Sequence, residues 1–420
     1  MKLITTSGRG ARAKLDALFA RRNLSYNRAL PVARRIISAV RKGGDAALRR
    51  YATRLDELPS QSPLRISGDE LSAAWIEAPA SLKAAFQTAA RNIRAFAKRQ
   101  LPKQWSLELT TGLSVGQIIR PLDAVGCYVP GGRYPLPSTL LMTVIPAQVA
   151  GVPRIVVASP RPAPEILATA AMLGVTEFYG IGGAHAIAAL AYGTESIAPV
   201  DKIVGPGNVY VTAAKRLVAF DCAIDMLAGP TEIVVTSDAG NPHWIAADLV
   251  AQSEHDPETL TIFVTTSATL ARSVVAEVKR QSRSNHVARE AIGNNGYAIV
   301  ACNPDEACEI TNRLAPEHLT VDTVADLAWV HNAGSVFVGP YSAQPLGDYI
   351  SGPNHTLPTS GLARVRGGLS VSDFLKTFTM QKYAPEALHK LGPVAVTLAE
   401  AEGLRGHAAA IRARLEAAHA

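Results

Sequence analysis

The sequence predicts an α/β fold made of two Rossmann-like, doubly wound units, with helices before them and a helical tail after them. Two observations carry this prediction. Short runs of Val, Ile and Ala, typical of buried parallel strands, alternate with segments that repeat apolar residues at helical spacing. A chain of 420 residues is also too long for one typical domain, and its 48% hydrophobic content is enough for more than one core.

Helices dominate the first part of the chain. Residues 9–22 place an apolar stripe on one face and predict a short amphipathic helix. Residues 28–101 continue the helical pattern, which a glycine pair ending at Gly44 interrupts. Strand-like residues at 118–129 then enter a loop at 128–133, where Pro and Gly are too dense for a strand.

Two series of alternating strands and helices follow. The first has strands at 154–158, 177–179 and 201–204, with helices at 164–173, 182–189 and 212–218. The second has strands at 232–236, 260–265 and 297–302, with helices at 242–255, 267–281 and 304–314. Each series predicts a doubly wound unit, and the loops after the strands of the first predict a ligand-binding rim. Neither unit carries the usual GxGxxG fingerprint: residues 180–185 begin this motif but lack its last glycine. The Gly-Pro-Gly-Asn loop at 205–208 could present backbone N–H groups to a phosphate.

The predicted domains follow from these series. An N-terminal helical extension covers residues 1–25, and the first α/β unit covers 126–233. The larger, catalytic α/β domain combines 26–125 with 234–375, so that the first unit is inserted into it. Residues 376–420 form a helical tail with too few apolar residues for a core of its own, which predicts docking on its own subunit or on a partner.

Charge and cysteine content argue against several classes of protein. The net charge of +7 and the pI of 9.2 raise the question of nucleic-acid binding. The positive residues are spread over polar helix faces without interleaved aromatic residues, so we expect no nucleic acid as partner. Four scattered cysteines without CxxC spacing indicate a reducing, cytoplasmic setting. The N-terminus lacks an apolar signal core, and proline and arginine interrupt the apolar run at 141–159, so we expect no membrane segment.

Residues 315–319, Ala-Pro-Glu-His-Leu, place a carboxylate beside an imidazole. Asn303 is a suitable N-cap for the helix before them, and Pro316 disfavours helical geometry at the preceding residue. Glu317 and His318 are therefore predicted on a turn between a helix and a strand, a common position for a catalytic acid–base pair. Taken alone, such a dipeptide is more often a solvated turn.

Two further polar segments contain candidate metal ligands. Gln252 and His255 lie three residues apart, on one face of the helix that ends there. Asp348 lies in a glycine-rich stretch that also holds His355, a candidate substrate contact. Taken alone, the first segment is better explained by surface polarity and the second by a hydrogen-bonded turn.

The tail contains a third polar segment. Glu402 and His407 would lie about 140° apart on an unbroken helix, and so could not face one ligand. Gly403 and Gly406 predict a break that brings the two side chains together. Two surface residues at a helix joint would explain the segment equally well.

Together, and in this order, the motifs resemble those of one family, histidinol dehydrogenase. The matching segments are residues 128–132, 202–208, 228–232, 252–256, 315–319, 347–358 and 402–407. The segments at 315–319 and 347–358 are specific to this family. The resemblance implies a zinc- and NAD-dependent enzyme that oxidises L-histidinol to L-histidine through L-histidinaldehyde, the final steps of histidine biosynthesis.

The resemblance also implies roles for individual residues. One zinc ion per subunit would be held by Gln252, His255, Asp348 and His407, nitrogen and oxygen donors that suit zinc. Substrate would contact these four residues and also Thr231, His318, His355 and Glu402. NAD would contact Tyr128, His185 and Asn208, which places the cofactor on the 126–233 domain. His318 is the expected general base for the alcohol, and Glu317 is expected to activate water for the aldehyde.

Family members are homodimers in which the C-terminal tail enters the neighbouring active site, so His407 is expected to complete the zinc site of the partner. One departure concerns His185, where the family commonly has Gln. Residues 132–136 also resemble relatives that oxidise other small alcohols, such as sulfopropanediol. A zinc hydrolase in which Glu317 activates water is an alternative from another class, and a basic nucleic-acid binder is the most remote one.

Overall fold

A computed structural model of the chain describes residues 1–8, 10–20, 28–131 and 134–417. Some residues of the first predicted helix (9, 21 and 22) and of the predicted loop (132 and 133) lie outside the described part. The chain divides into two compact units. The first comprises Met1–Gln100 and Leu122–Phe374, and the second comprises Leu101–Pro121 and Leu375–Ala420.

The strands and helices alternate through most of the chain. The strands are β1 (Lys2–Thr5), β2 (Arg65–Ile66), β3 (Trp105–Thr110), β4 (Leu113–Pro121), β5 (Ala124–Tyr128), β6 (Arg154–Ala158), β7 (Glu177–Tyr179), β8 (Lys202–Val204), β9 (Ala223–Ile224), β10 (Glu232–Thr236), β11 (Leu260–Thr265), β12 (Gly296–Val300), β13 (His318–Val321), β14 (Ser335–Val338) and β15 (Leu375–Tyr383). The helices are α1 (Ala11–Ala20), α2 (Leu30–Leu55), α3 (Gly68–Glu77), α4 (Ala80–Arg99), α5 (Pro137–Ala150), α6 (Pro164–Met172), α7 (Gly183–Tyr192), α8 (Val209–Val218), α9 (Pro242–Ser253), α10 (Ala268–Gln281), α11 (His286–Asn295), α12 (Pro304–Leu314), α13 (Pro345–Tyr349), α14 (Pro385–Ala401) and α15 (Arg405–Ala417).

The first sheet is parallel, with the strand order β1-β12-β11-β10-β13-β14. Ile233 and Val235 face the core that includes residues of α9, α10 and α11, whereas Val234 faces the core that includes residues of α1 and α12. This burial on both faces explains the continuous apolar runs that predicted parallel strands. From β10 the chain adds β11 and β12 on one side and then β13 and β14 on the other, so its switch point lies between β10 and β13.

The second sheet has the order β2-β7-β6-β5-β8-β9 and is parallel except for β2. Its switch point lies between β5 and β8. Residues of α2, α7 and α8 share an apolar core with residues of its strands. Helix α2 bends at Gly44, as its glycine pair predicts, because this residue has a φ of 48° that other residues rarely adopt.

The second unit contains the antiparallel sheet β15-β4-β3 and the helices α14 and α15. The two helices enclose a small apolar cluster of Val396, Ala399 and Ala408. Strand β15 differs from the sequence prediction, which was helical from about residue 376. It pairs along its full length with β4, and such pairing with a distant segment outweighs the local pattern.

The α/β class and the parallel, doubly wound sheets are confirmed. Helix α5 was missed because it is apolar all round and contains Pro146, so it lacks the one-sided stripe of an amphipathic helix. Over the described ranges, none of the helices is both long and apolar enough to span a bilayer. Both α/β sheets lie in the first compact unit, and the predicted domain limits stay a prediction.

Candidate active site

The Glu317–His318 pair lies where α12 ends and β13 begins. Asn303 caps the start of α12 as predicted, its side chain accepting a backbone N–H three residues later at 2.9 Å. The helix ends at Ala315, which has a φ of 45°, and Pro316 leads into β13. Glu317 and His318 are only 7% and 3% exposed, so the pair is not a solvated turn.

Both residues lie at the amino-terminal edge of the first sheet, beside its switch point. Ile233 of β10 pairs with His318 of β13, so the residues before them, Glu232 and Glu317, are neighbours. Helix α9 runs back to this edge in the usual crossover, and its last turn brings Gln252 to His318. Open α/β sheets usually bind ligands at their carboxyl edge, and this cluster lies at the opposite one.

A chain of hydrogen bonds fixes Glu317. Its Oε2 accepts from Oγ1 of Thr231 at 2.5 Å and from the backbone N–H of Glu232 at 2.8 Å. Because Thr231 donates its hydrogen to Glu317, its oxygen accepts from Nε2 of Gln252. This sets the orientation of the Gln252 amide and leaves its Oε1 buried without a hydrogen-bond partner among the described residues. A buried acceptor of this kind needs an ion, a water molecule or a ligand as its partner.

The imidazole of His318 is held through one ring nitrogen and by stacking on Phe337. Its Nδ1 lies 3.1 Å from the carbonyl oxygen of Glu232, which can only accept, so we assign the ring proton to Nδ1. Its Nε2 lies 3.7 Å from Oδ1 of Asp348 and has no hydrogen-bond partner in the described part of the chain. Phe337 stacks on the imidazole, with the ring centroids 6.1 Å apart. Gly347 leaves room for the Phe337 ring, because a β carbon at this position would clash with that ring. Nε2 is therefore the ring atom open to a substrate.

The carboxylates around the pair shift several pKa values. Burial by itself lowers the pKa of His318, but the charges of Glu317 and Asp348 outweigh burial and raise it to about 10. Burial by itself raises the pKa of Asp348, but the pairing with His318 outweighs it and lowers this pKa. Burial, reinforced by the charge of Glu317, raises the pKa of Glu232 to about 8, so this carboxyl is neutral at pH 7.

Asp348 and His355 line the cavity next to His318. Oδ2 of Asp348 accepts from Nε2 of Gln344 at 3.1 Å. Nδ1 of His355 donates to the backbone carbonyl of Asp348 at 3.0 Å, and its Nε2 lies 3.3 Å from Oγ1 of Thr139. Burial lowers the pKa of His355, which keeps this ring neutral. The cavity has a volume of about 370 Å³, enough for a small polar substrate.

The expected metal ligands are only partly gathered. His255 is exposed just past α9, near enough to Asp348 for its charge to help lower the pKa of that carboxyl. Throughout the described ranges, no three His, Cys, Asp or Glu side chains are close enough to hold a metal. The unpartnered oxygen of Gln252, with Asp348 and His255, nevertheless makes a donor set that fits zinc once a further ligand is added.

Glu402 and His407 lie in the second unit, and both are exposed. Glu402 directly follows α14, and His407 lies in the first turn of α15. The predicted break is found at Gly403, which separates the two helices with a φ of 77°, whereas Gly406 lies within α15. That the break brings Glu402 and His407 together stays a prediction.

Two of the three expected cofactor contacts flank the switch point of the second sheet. Tyr128 ends β5, and Asn208 belongs to the loop at 205–208 that follows β8. The side chain of Asn208 caps α8, accepting from the N–H of Tyr210 at 3.0 Å. The carboxyl edge at such a switch point is the usual position of a dinucleotide.

His185, the third expected contact, is fully buried. Its Nε2 lies 2.7 Å from Oδ2 of Asp56, and the same oxygen accepts from the N–H of Gly182 at 2.8 Å. The N–H of Gly183 donates to the hydroxyl of Tyr128 at 3.1 Å. The first amides of α7 are thus bonded to the protein's own side chains, whereas Nδ1 of His185 is buried without a hydrogen-bond partner among the described residues. A contact between this imidazole and NAD stays a prediction.

Comparison with known proteins identifies the family. The sequence profile described as histidinol dehydrogenase matches residues 19–415. The chain belongs to the histidinol dehydrogenase family. The crystal structure of the histidinol dehydrogenase from Elizabethkingia anophelis matches it with a TM-score of 0.92 and 33% sequence identity, covering 100% of this chain and 99% of that one.

Two curated histidinol dehydrogenases show the same similarity in sequence. That of Geobacillus kaustophilus is 48% identical over 394 residues, or 91% of this chain and 92% of its own. That of Methanothermobacter thermautotrophicus is 44% identical over 416 residues, or 96% of this chain and 97% of its own. Membership in the histidinol dehydrogenase family confirms the resemblance drawn from the motifs. Because the chain belongs to this family, it is an oxidoreductase. The two alternatives, a zinc hydrolase and a nucleic-acid binder, are therefore not supported.

Proposed function

We propose that this enzyme oxidises L-histidinol to L-histidine through L-histidinaldehyde, with zinc and NAD⁺, as the last steps of histidine biosynthesis in the cytoplasm. The buried Glu317–His318 pair carries the proposal, since it meets Asp348 beside a cavity of about 370 Å³ in a chain of this family. An acid and a base side by side suit a substrate that must lose protons in two successive oxidations.

The proposed zinc ligands are Gln252, His255, Asp348 and, from a second copy of the chain, His407. Zinc, when bound, supplies positive charge that holds the imidazole and amine of the substrate and offsets the carboxylates around His318. Support comes from Oε1 of Gln252, whose orientation is set by Thr231 and which lacks a hydrogen-bond partner within the described residues. Thr231, His355 and Glu402 are the further proposed substrate contacts.

In the first oxidation, His318 takes the proton of the alcohol. Its Nδ1 faces the carbonyl of Glu232, so Nε2 of the neutral ring accepts the proton. The charge of bound zinc, which offsets the carboxylates around His318, would favour this neutral form. NAD⁺, when bound, accepts the hydride from the same carbon in each oxidation and becomes NADH. The substrate leaves this step as the aldehyde, still inside the cavity beside His318.

In the second oxidation, Glu317 activates water. Thr231 and Glu232 hold Oε2 of its carboxylate, and we assign Oε1 to the water. Oε1 takes a proton from the water as the water oxygen bonds to the aldehyde carbon, and His318 returns the proton that it took from the alcohol to the carbonyl oxygen, which gives the neutral hydrate. His318, neutral again, then accepts a hydroxyl proton of the hydrate as the second hydride leaves, and the carboxylic acid so formed loses its remaining proton to solvent to give the carboxylate of histidine.

The cofactor is proposed to bind at the carboxyl edge of the second sheet, against Tyr128 and Asn208. Their positions beside the switch point between β5 and β8 support this assignment. Besides the predicted contact, His185 is proposed to contribute indirectly: it pairs with Asp56, which accepts the N–H of Gly182 at the start of α7.

We propose a homodimer in which the tail completes the partner's site. In the second unit, three apolar residues of β3 are each more than half exposed: Trp105, Leu107 and Leu109. Val394 and Leu398 of α14, one helical turn apart, are also more than half exposed. Apolar surface of this extent is typical of an interface, and the second copy of the chain is the proposed partner.

The stoichiometry of the reaction tests the function. Purified, zinc-loaded enzyme is expected to form two NADH for each L-histidinol consumed, with histidine as the product. Sulfopropanediol serves as the competing substrate in the same assay. A higher kcat/KM for sulfopropanediol would overturn the choice of substrate, and the absence of NADH with either alcohol would overturn the proposed activity.

Two variants separate the roles of the catalytic pair. His318→Gln is expected to slow both half-reactions, whereas Glu317→Gln is expected to block the oxidation of supplied histidinaldehyde. The proposed role of Glu317 in activating water is wrong if Glu317→Gln oxidises the aldehyde at the wild-type rate. The role of His318 as base is wrong if neither half-reaction slows in His318→Gln.

A further inference from the structure

We propose that Lys215 and Asp225 are positioning residues for the dinucleotide: a buried ion pair that holds both peptide groups of Gly205 and so fixes the loop at 205–208 beside Tyr128. The inference rests on the proposed function, in which Tyr128 and Asn208 contact NAD. It concerns two charged residues that no step of the proposed chemistry uses.

The ion pair reaches Gly205 from two elements. Lys215 belongs to α8, and Asp225 follows β9. The N–H of Gly205 donates to Oδ2 of Asp225 at 2.7 Å, and Nζ of Lys215 donates to the carbonyl of Gly205 at 3.0 Å. Nζ of Lys215 also pairs with Oδ1 of Asp225. The backbone N–H of Gly205 is therefore bonded to the anion of the ion pair, and the backbone carbonyl of Gly205 is bonded to its cation.

The ion pair is deeply buried. The side chains of Lys215 and Asp225 are 3% and 1% exposed. Removing two charges from water is costly, and well-packed apolar residues of similar size often give a core at least as much stability. Charged groups in such a place are better explained by the geometry that they impose. Here the geometry is the direction of the two peptide groups at Gly205.

Gly205 is where the loop comes closest to Tyr128. It has a φ of 113°, and a β carbon at this position would lie 2.1 Å from the carbonyl oxygen of Tyr128. The chain can pass so near only with glycine, and glycine alone would leave the peptide groups free to rotate. The ion pair supplies the missing constraint, since turning either peptide would break a bond to a buried charge.

The consequence concerns the distance between two proposed cofactor contacts. Tyr128 ends β5, Gly205 directly follows β8, and Asn208 closes the loop as the cap of α8. Fixed peptide groups at Gly205 therefore determine where Asn208 lies relative to Tyr128 across the switch point. Arg366 adds a further restraint, because its Nη1 donates to the backbone carbonyl of Asp225.

Lys215→Met and Asp225→Asn test the inference in the full-length, zinc-loaded enzyme. Val218→Ala is the matched control, because Val218 is fully buried on the same helix as Lys215 and contacts the core rather than the loop. We expect each ion-pair variant to raise the KM for NAD⁺ and the Kd for NADH by about tenfold or more, with kcat at saturating NAD⁺ within about threefold of wild type. Val218→Ala should lower the melting temperature without changing either constant.

The results separate positioning from folding. If the ion-pair variants lose stability like Val218→Ala but keep the wild-type KM for NAD⁺ and Kd for NADH, the inference is overturned. Asp225→Asn keeps the size of the side chain, so it provides the test if Lys215→Met does not fold. If the wild type binds NADH but does not oxidise histidinol, the proposed substrate fails and the binding constants still test the ion pair. If the wild type binds no dinucleotide, both the proposed NAD site and the inference about the ion pair are overturned.

Discussion

Thr231 donates its hydroxyl hydrogen to Oε2 of Glu317 across 2.5 Å. The same hydroxyl oxygen accepts from Nε2 of Gln252, so a single side chain orients both the carboxylate proposed to activate water and the amide proposed to bind zinc. The two functions of the site are thereby joined through one oxygen atom at the start of β10.

Thr231→Val removes both hydrogen bonds at nearly constant volume. We expect zinc affinity and the kcat for histidinaldehyde oxidation each to fall by about 10–100-fold, the range for residues that orient metal ligands. Competition with a chelator measures the first, and steady-state kinetics measure the second. Thr231→Ser retains the hydroxyl and is the control, expected to remain close to wild type. Unchanged zinc affinity in Thr231→Val would show that this hydroxyl does not orient Gln252.

The charge of Glu317 should be visible in the titration of His318. Glu317 is the strongest of the contributions that raise the pKa of His318 to about 10 in the zinc-free chain. Glu317→Gln removes a negative charge beside the imidazolium, which destabilises the charged ring, so the pKa must fall. NMR of the zinc-free protein measures it, and His318→Gln identifies the resonance. A titration that is the same in wild type and Glu317→Gln would contradict this electrostatic picture.

Much of the fold could be predicted from apolar periodicity. The predicted strand at 232–236 is β10, and the predicted helix at 304–314 is α12, because each of these segments carries its own signal. Helix α5 has no polar face to reveal its period. Strand β15 owes its conformation to β4, which is far away in the sequence, and such pairing leaves no local pattern.

The candidate site was predictable as a set of residues but not as an arrangement. The motif segments contained Glu317, Gln252 and Thr231, yet only the neighbouring positions of β10 and β13 bring them together. Glu232 lies within a motif, but its backbone carbonyl, which fixes His318, carries no sequence signal. Phe337 was missed because β14 was not predicted. The burial of His185 against Asp56 likewise could not be inferred without the fold.

Asp248 should lower stability at neutral pH. Burial, opposed by a hydrogen bond from the backbone N–H of Gln344, raises the pKa of Asp248 from its ordinary value of 3.8 to about 6. The folded state therefore binds the proton more tightly than the unfolded state. The cost of burying the charge is complete above about pH 6 and disappears as the pH falls towards 4.

Asp248→Asn removes this cost and keeps an oxygen that can accept from Gln344. Because Asp248 is only partly buried, we expect the melting temperature to rise by about 1–3 °C at pH 7.5. The gain should shrink as the pH is lowered from about 6 to 4. Calorimetry across this range measures the effect, and Glu258→Gln, at an exposed carboxylate, is the control. A gain that did not vary with pH would have a cause other than ionisation.

The proposed exchange of tails can be tested with mixed dimers. His407→Ala disables the site that a tail would complete, and Glu317→Ala disables the site of its own subunit. If His407 acts in the partner's site, a mixed dimer has one site with both residues intact. Random exchange of equal amounts should then recover about a quarter of wild-type activity, because half of the dimers are mixed and each has one working site. If His407 acts within its own subunit, every site lacks one residue, and the mixture stays as inactive as the two parents. Mixing His407→Ala with His318→Ala should recover the same fraction, because His318, like Glu317, belongs to the receiving site.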